Sequence, residues 1–328
     1  MRSYQWLGAA ILSVIGTAAS ASTMSVCVFD VMGANGITMS IMKDYALAAK
    51  GWEVEVQPKV YTKLSTALQD FEQKKCQAIV ADNFATRKYN LFMGTVGAIG
   101  AVPNYEVGQR VLLALASPKL SAKLKNNHYE VMGYMPYGLV YLMAKNRNIN
   151  SLDKVKGLRI GVLADDPSQS RMAQKVGMKP VVMTFDNAAS KFRNNDMDIV
   201  PAPLLIWEPF EGAKLLGANG AVANYPMSFM TMNFIVANGD YPKDLGQKSR
   251  EWFSKASPRI LATVKSWDAK VPEKYWMQIP DIDRPSYDHL ASQLRKEFID
   301  GKVYDVSMMT LIRHLRCAQD PKFVECKK

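Results

Sequence analysis

The sequence predicts a two-lobed α/β protein with mixed sheets and a hinge where the chain crosses between the lobes. Short apolar runs alternate with helix-length amphipathic stretches from Met24 onward, which is the order of βαβ units. This order starts again near residue 157, after a polar crossover. A chain of 328 residues with 48% hydrophobic residues is long and apolar enough for two cores.

Residues 1–21 have the pattern of a removable secretory signal. Arg2 precedes an apolar stretch, Leu7–Gly16, and small residues follow, so cleavage is expected after Ala19 or Ala21. A membrane anchor is the alternative, but the apolar run is shorter than the roughly 20 residues that a spanning helix needs. We expect a periplasmic chain with no stable membrane insertion after the signal is cleaved.

Lobe 1 is predicted to begin with residues 22–136. The runs SVCVFDV, WEVEVQPKV and CQAIVADN have the pattern of strands, with the amphipathic stretches ITMSIMKDYALAAK and KLSTALQDFEQKK between them. Asn35 is the candidate N-cap of the first helix, which we expect to close at Gly51. A helical pair broken at Pro118 is expected between residues 105 and 126.

Lobe 2 is predicted to span residues 137–238. Two extended runs around Pro136 precede the polar crossover NRNINSLDKVKG, and a second α/β series follows with LRIGVLAD, RMAQKVG, KPVVMTF and MDIVPAP. Residues 239–328 are predicted to return to lobe 1 and to add a helical C-terminal extension. In open α/β sheets the carboxyl ends of the strands bind ligands, which places the expected site between the lobes.

Four cysteines remain after cleavage, and two disulfides are the economical interpretation. Sequence alone permits three connectivities. We favour Cys27–Cys76, because both residues lie on predicted strands, and a local Cys317–Cys326 bridge that would tie down the C-terminal tail. A zinc site is the alternative, but the chain lacks CxxC spacing and a nearby histidine pair, so no metal is expected.

The formal net charge of +11 falls to +10 when Arg2 leaves with the signal. The basic residues are spread along the chain, which argues against nucleic acid as a partner and is typical of a solvated surface.

No catalytic constellation is present in the sequence. His128, His289 and His314 have no apparent nucleophile or metal-ligand partner, and VMGANGIT lacks the full GxGxxG pattern. We therefore expect neither an enzyme nor a cofactor. An exported enzyme that uses Asp165, Asp166 or Glu208 as acid or base is the least favoured alternative.

Aromatic, amide and charged residues follow the predicted strands of both lobes and would face one cleft. They are Asp30, Asn35, Asn83, Phe84, Tyr134, Tyr137, Asp165, Asp166, Ser168, Arg171, Pro203 and Trp207. Each of them alone could equally be a cap, a turn residue or a packing aromatic. Ser168 and Ser170 precede Arg171, so helix amides and a cation could hold an anionic group, although capping explains the serines equally well.

Several segments resemble the TRAP-transporter (DctP-like) periplasmic solute-binding proteins, of which this chain looks like a divergent member. The similarity covers about residues 129–257: GLVYLMAKNRNINSLDKVKGLRIGV resembles the start of the second lobe, and AQKVGMKPV resembles a helix-to-strand step of that family. NNDMDIVPAP keeps an Asp followed five residues later by a Pro, here Asp198 and Pro203. SFMTMNFIVAN resembles the return strand, which adds Asn233 to the candidates. The resemblance implies a type II-like periplasmic-binding-protein fold.

One departure from this family affects the expected ligand. The family's Gly-Leu-Lys-Ile-Arg strand carries an arginine that pairs with a substrate carboxylate, whereas this chain reads Gly-Leu-Arg-Ile-Gly and ends on Gly161. Arg159, on the same face of the strand, and Arg171 are the substitute cations if the ligand is an anion. Otherwise the cleft is aromatic, and Tyr134, Tyr137, Trp207, Tyr225 and Phe229 would pack a partly apolar ligand. Trp207 and Phe229 could equally be core residues.

The resemblance implies a binding protein that captures a small ligand, anionic or aromatic, between two lobes and delivers it to an inner-membrane transporter component. The alternative is an efflux-associated periplasmic adaptor or resistance-linked protein. The missing arginine and a faint similarity to solute-binding-like chains connected with multidrug efflux suggest it.

Overall fold

The computed structural model describes residues 22–239 and 241–326, so the predicted signal at residues 1–21 lies outside the described residues. In the described part the chain forms ten strands and ten α-helices in a mixed α/β arrangement. The strands are β1 (Ser22–Phe29), β2 (Val54–Tyr61), β3 (Ala78–Asp82), β4 (Tyr129–Ala144), β5 (Arg159–Leu163), β6 (Lys179–Met183), β7 (Ile199–Pro203), β8 (Ala221–Ala223), β9 (Ser228–Ala237) and β10 (Trp276–Met277). The α-helices are α1 (Ile37–Ala49), α2 (Leu64–Glu72), α3 (Leu91–Gly94), α4 (Tyr105–Leu115), α5 (Pro167–Lys175), α6 (Ala188–Arg193), α7 (Gly212–Leu216), α8 (Leu245–Asp268), α9 (Arg284–Asp300) and α10 (Val306–Gln319). Among these helices none is both long and apolar enough to cross a membrane.

The sheet is continuous through two groups of parallel strands that antiparallel strands join. Its order is β2-β1-β3-β9-β4-β7-β5-β6, with β8 on β4 and β10 on β8. β1 pairs in parallel with β2 and β3, and β5 pairs in parallel with β6 and β7. β9 and β4 run antiparallel to each other and to their outer neighbours β3 and β7. This mixed α/β fold agrees with the predicted fold class.

β4 is one strand of 16 residues, where the sequence predicted two extended runs around Pro136. Its pairing with β9 shifts register between Val131 and Gly133 and again between Pro136 and Gly138. Gly138 has a φ of 136°, a conformation that residues with a side chain rarely adopt. Such bulges bend a strand without ending it, so the ladder is interrupted at Tyr137, directly after Pro136, and β4 continues.

Both predicted disulfides are confirmed. Cys27 and Cys76 are joined near neighbouring strands, with Cα atoms 5.8 Å apart, and both are buried. Cys317, in the last turn of α10, and Cys326 close a local loop, with Cα atoms 5.5 Å apart. The parallel β1–β3 ladder runs these two strands side by side, and Cys76 lies two residues before β3.

The N-terminus of α1 is held differently from the prediction. Asn35 ends a 3-10 turn, Gly33–Asn35, and the N-cap position is Gly36, which has no side chain to cap the helix. The carboxylate of Asp30 instead accepts the N–H of Met39, at 3.1 Å. A Cβ on residue 36 would lie 1.8 Å from Asp30 Oδ1, so only glycine leaves room for this cap. The carboxylate at the end of β1 therefore takes the role that was expected of Asn35.

The ends of the other helices largely follow their sequence signals. α1 ends at Ala49 and a 3-10 turn, Lys50–Trp52, follows it, so Gly51 lies just beyond the helix. The predicted helical pair is confirmed as α4 and a 3-10 helix, Pro118–Lys123, in which Pro118 occupies a first-turn position where its missing N–H costs nothing.

Candidate functional site

A cavity of about 130 Å³ lies between the residues predicted for lobe 1 and those predicted for lobe 2. Most of its lining is aliphatic or aromatic, with methionines from β4, β6 and β9 among it. Eight aromatic residues line it, namely Phe29, Phe84, Tyr137, Phe185, Phe192, Phe210, Phe298 and Tyr304. A site with these walls favours ligands with a large apolar surface.

Strand ends position these walls. Phe29 is the last residue of β1, Phe84 follows β3, and Pro203 is the last residue of β7. Parallel strands end at the same edge of their group, so residues far apart in the chain meet there. Phe298 of α9 and Tyr304, which follows that helix, come from the C-terminal extension and also line the cavity.

Gly161 lines the cavity at the β5 position where the resemblance predicts a ligand arginine. A Cβ at this position would lie 2.6 Å from Met183 Sδ and 2.7 Å from Met197 Sδ. Two thioethers therefore fill the space that a longer side chain would enter. This wall offers a soft apolar surface in place of a cation.

Among the described residues that line the cavity, Asp166 is the one with a formal charge. Asp166 is the N-cap of α5, and its Oδ1 accepts the backbone N–H of Ser168 at 3.1 Å as well as the Ser168 hydroxyl. The same oxygen forms an ion pair with Arg87 Nη1 at 2.9 Å. Both partners are largely buried, with side-chain exposures of 4% for Asp166 and 11% for Arg87.

Arg87 lies behind the aromatic wall. Its guanidinium carbon is 5.4 Å from the centre of the Tyr304 ring and 6.0 Å from that of Phe84, so the cation contacts the faces of two lining rings. Burial raises the pKa of the Tyr304 phenol to about 12, although Arg87 opposes this shift. The Tyr304 hydroxyl accepts the Ile99 N–H at 3.3 Å. As a neutral phenol, Tyr304 keeps its own proton for donation.

Several of the residues predicted from the sequence lie in the cavity wall. Phe84, Tyr137, Ser168 and Pro203 line it, together with Asp166. The structure thus brings together predicted residues from both halves of the chain.

A second, more open cleft of about 580 Å³ borders the cavity on the other side of Tyr137. Asp30 and Asn35 line this cleft and not the cavity of about 130 Å³. Burial raises the pKa of Asp30, while the N–H groups of Met32 and Met39 oppose the rise.

Four predicted residues are instead part of the interior of the sheet. Asn83 donates to the Phe229 carbonyl at 3.2 Å and accepts the Thr231 N–H, which joins the end of β3 to β9. The side-chain amide of Asn233 donates to Thr86 Oγ1 at 3.0 Å. Tyr134 and Phe229 are completely buried, because their positions on β4 and β9 point into the core and not into the cavity.

The two substitute cations also lie outside the cavity lining. Arg159 forms a bidentate pair with Asp198, at 3.1 Å from Nε and 2.7 Å from Nη2, so its guanidinium is already occupied. Arg171 is exposed on α5 and lies over the Phe298 ring at 5.4 Å from the ring centre. Asp165 is exposed before the helix.

Trp207 and Tyr225 pack elsewhere. Trp207 is buried against Tyr275, with ring centres 5.1 Å apart, and it fits over Gly212. The Tyr225 hydroxyl donates to Asp288 at 2.6 Å, and its ring lines a separate apolar cavity of about 70 Å³.

Sequence reasoning missed Arg87 and most of the apolar lining. Arg87 stands in a 3-10 helix, Ala85–Lys88, 79 residues before its partner Asp166, and no local pattern links the two. The one sequence signal for this apolar lining is an aromatic residue next to a strand end, such as Phe185 after β6. The lining residues of α6 and Phe298 are not next to a strand end.

A family model described as solute-binding protein AdeT 1/2 matches residues 18–328. A probable solute-binding protein AdeT1 from Acinetobacter baumannii is 33% identical over 298 residues, which cover 91% of this chain and 98% of that protein.

Solved structures share the fold at low sequence identity. A TRAP periplasmic solute-binding protein from Desulfovibrio salexigens with bound orotic acid has a TM-score of 0.72 and 11% identity, with 90% of this chain and 99% of that chain covered. The periplasmic ectoine-binding protein from the TeaABC TRAP transporter of Halomonas elongata has a TM-score of 0.70 and 10% identity, with 90% and 98% covered.

Proposed function

The chain belongs to the AdeT 1/2 family of solute-binding proteins, and we propose that it captures a small, largely apolar ligand in the cavity between its lobes and delivers it to a membrane transporter. The observation that carries the ligand class is the cavity itself, whose lining is aromatic and aliphatic. It has Gly161 at the position where the resembled family carries a carboxylate-binding arginine. Orotate and ectoine are the ligands of the two structural relatives named above.

The proposed cellular setting is the periplasm, with export by the signal at residues 1–21. The two confirmed disulfides support an oxidising compartment. We further propose that residues 22–136 and 239–328 form one lobe and residues 137–238 the other. Phe84, Tyr137, Ser168 and Pro203 would then be the predicted residues that contact the ligand from the two sides.

The size of the cavity sets the size of the probe. An apolar cavity of about 150 Å³ binds benzene, and this one is of similar size at about 130 Å³. Toluene and indole are therefore suitable apolar probes, and succinate and orotate are the anionic comparison. Thermal unfolding of the full mature chain measures binding, because a ligand at 100 times its Kd stabilises the folded state by about 2.7 kcal/mol.

We expect toluene and indole to raise the Tm and the two anions to leave it unchanged. Ala202 lines the cavity, so Ala202→Leu should fill part of it and abolish the shift. The matched control is Ala173→Leu, which projects into the neighbouring cavity of about 70 Å³ and should keep the shift. A Tm raised by the anions alone would contradict the proposal, and no response to any probe would favour the adaptor alternative. Turnover of a bound compound would instead indicate the enzyme.

A further inference from the structure

The polar part of the cavity wall restricts the ligand further. Its side chains are the carboxylate of Asp166, the hydroxyls of Ser168, Ser228, Tyr137 and Tyr304, and the amide of Gln169. The described lining includes no Lys, Arg or His. A carboxylate or phosphate on the ligand would therefore meet an acid and no cation in this wall.

The hydrogen bonds of Asp166 are distributed unequally between its two oxygens. Oδ1 takes the Arg87 guanidinium and both groups of Ser168. Oδ2 has one long contact, from Gln169 Nε2 at 3.4 Å. A carboxylate offers roughly four acceptor positions, so Oδ2 retains capacity for a donor.

The aromatic lining favours a donor that carries a positive charge. The faces of aromatic rings attract cations, and eight aromatic residues line the same cavity as this carboxylate. Arg87 balances the charge of Asp166 from behind the Phe84 and Tyr304 rings, so the carboxylate is the member of the pair that lines the cavity.

We propose that the ligand is a small aromatic amine, whose ring fills the apolar cavity and whose ammonium group donates to Asp166 Oδ2. This inference rests on the proposed function and deepens it by naming the chemical class of the ligand. Asp166 is thereby the residue that determines specificity, and Arg87 lowers the affinity for the amine because it competes for the same carboxylate.

Four compounds of nearly equal size test the proposal by isothermal titration of the full mature chain at neutral pH: toluene, benzyl alcohol, benzylamine and benzoate. Benzylamine should bind at least about tenfold more tightly than benzoate, which corresponds to about 1.4 kcal/mol. Benzyl alcohol should lie between them, because it can donate to Oδ2 without carrying a charge.

Two variants should shift the affinity for benzylamine in opposite directions. Asp166→Asn keeps a capping side chain on α5 but removes the charge, so the Kd for benzylamine should rise about tenfold, while that for toluene stays nearly constant. Arg87→Met removes the competing cation, so benzylamine should bind more tightly than to the wild type. A purely structural role of the pair would weaken all four compounds together in both variants.

The double variant keeps the test available if Asp166→Asn alone unfolds, because Asp166→Asn with Arg87→Met leaves no unpaired buried charge. In it the preference for benzylamine over benzyl alcohol should disappear. Benzoate binding as tightly as benzylamine, or a preference that survives in the double variant, would overturn the inference while the proposed function stands. If toluene and the other three compounds all fail to bind, the proposed function itself is overturned.

Discussion

The C-terminal extension contains an ion cluster whose removal should be unusually costly. Glu325, held beside the Cys317–Cys326 bridge, accepts Arg295 Nη2 at 2.6 Å through one oxygen and pairs with Arg316 through the other. The side chains of the two arginines are only 2% and 1% exposed. Glu325→Gln removes the shared negative charge and turns an N–H₂ group toward one of the two cations.

The expected loss follows from the burial of the arginines. Removal of one partner from a buried ion pair costs about 3–5 kcal/mol, because the remaining charge has no counter-ion. Unfolding entropy of roughly 2 cal/mol/K per residue converts this loss to a fall in Tm of about 5–8 °C for a chain of this size. The effect should reach the ligand site, since Arg295 Nη1 also donates to the carbonyl of Ile99, a residue of the cavity wall.

Thermal and urea unfolding of the oxidised mature chain measure this loss. Glu297→Gln is the matched control: Glu297 pairs with Lys175 at 2.6 Å, but both side chains are about half exposed, so its loss should cost at most about 1 kcal/mol. Equal losses in the two variants would refute the reasoning that burial, and not the ion pair as such, sets the cost.

The pH dependence gives a second check on Glu325. Burial opposes its ionisation, but Arg295 and Arg316 outweigh burial and hold the pKa of Glu325 below its usual range. An acid with a lowered pKa stabilises the folded state above its unfolded pKa of about 4.3, and that stabilisation is lost as the pH falls through the folded pKa. The difference in the free energy of unfolding between wild type and Glu325→Gln should therefore be constant at neutral pH and become smaller in the acid range.

Three further variants test other parts of the structure. Burial raises the pKa of Asp82 to about 6, so the contribution of the protonated carboxyl to stability is lost as the pH rises through that value. Relative to wild type, Asp82→Asn should therefore gain about 3 kcal/mol in the free energy of unfolding between pH 4 and 7. A stability difference between the two proteins that does not change with pH in urea unfolding would contradict this. Gly161→Ala places a Cβ 2.6 Å from Met183 Sδ, and it should cost about 1–3 kcal/mol and weaken toluene binding, as titration and unfolding would show. Replacement of Cys27 and Cys76 by serine opens a link between residues 49 apart and should cost about 4 kcal/mol, which unfolding of the variant measures against wild type under non-reducing conditions.

The alternation of strands and helices was predictable because it depends on local patterns. Apolar runs such as SVCVFDV and CQAIVADN became β1 and β3, and this pairing in turn brought Cys27 and Cys76 together. The strand ends at which the cavity lies were also predictable, since Phe84 and Pro203 line it.

The individual roles of polar residues were much less predictable. Asn83 and Asn233 have the same local character as a ligand-binding amide, yet their hydrogen bonds to β9 and to Thr86 occupy them inside the sheet. Arg159 likewise matches a ligand cation in sequence, but Asp198 holds its guanidinium.

The sequence by itself determined the order of elements and the absence of an arginine at Gly161, because each depends on residue type and local periodicity. The tertiary structure alone decided that Asp30 caps α1, that Arg87 pairs with Asp166 and that methionine sulfurs occupy the space beside Gly161. These contacts join residues that are distant in the chain or on different elements. Their strength depends on how completely the fold removes both partners from water, which no local pattern encodes.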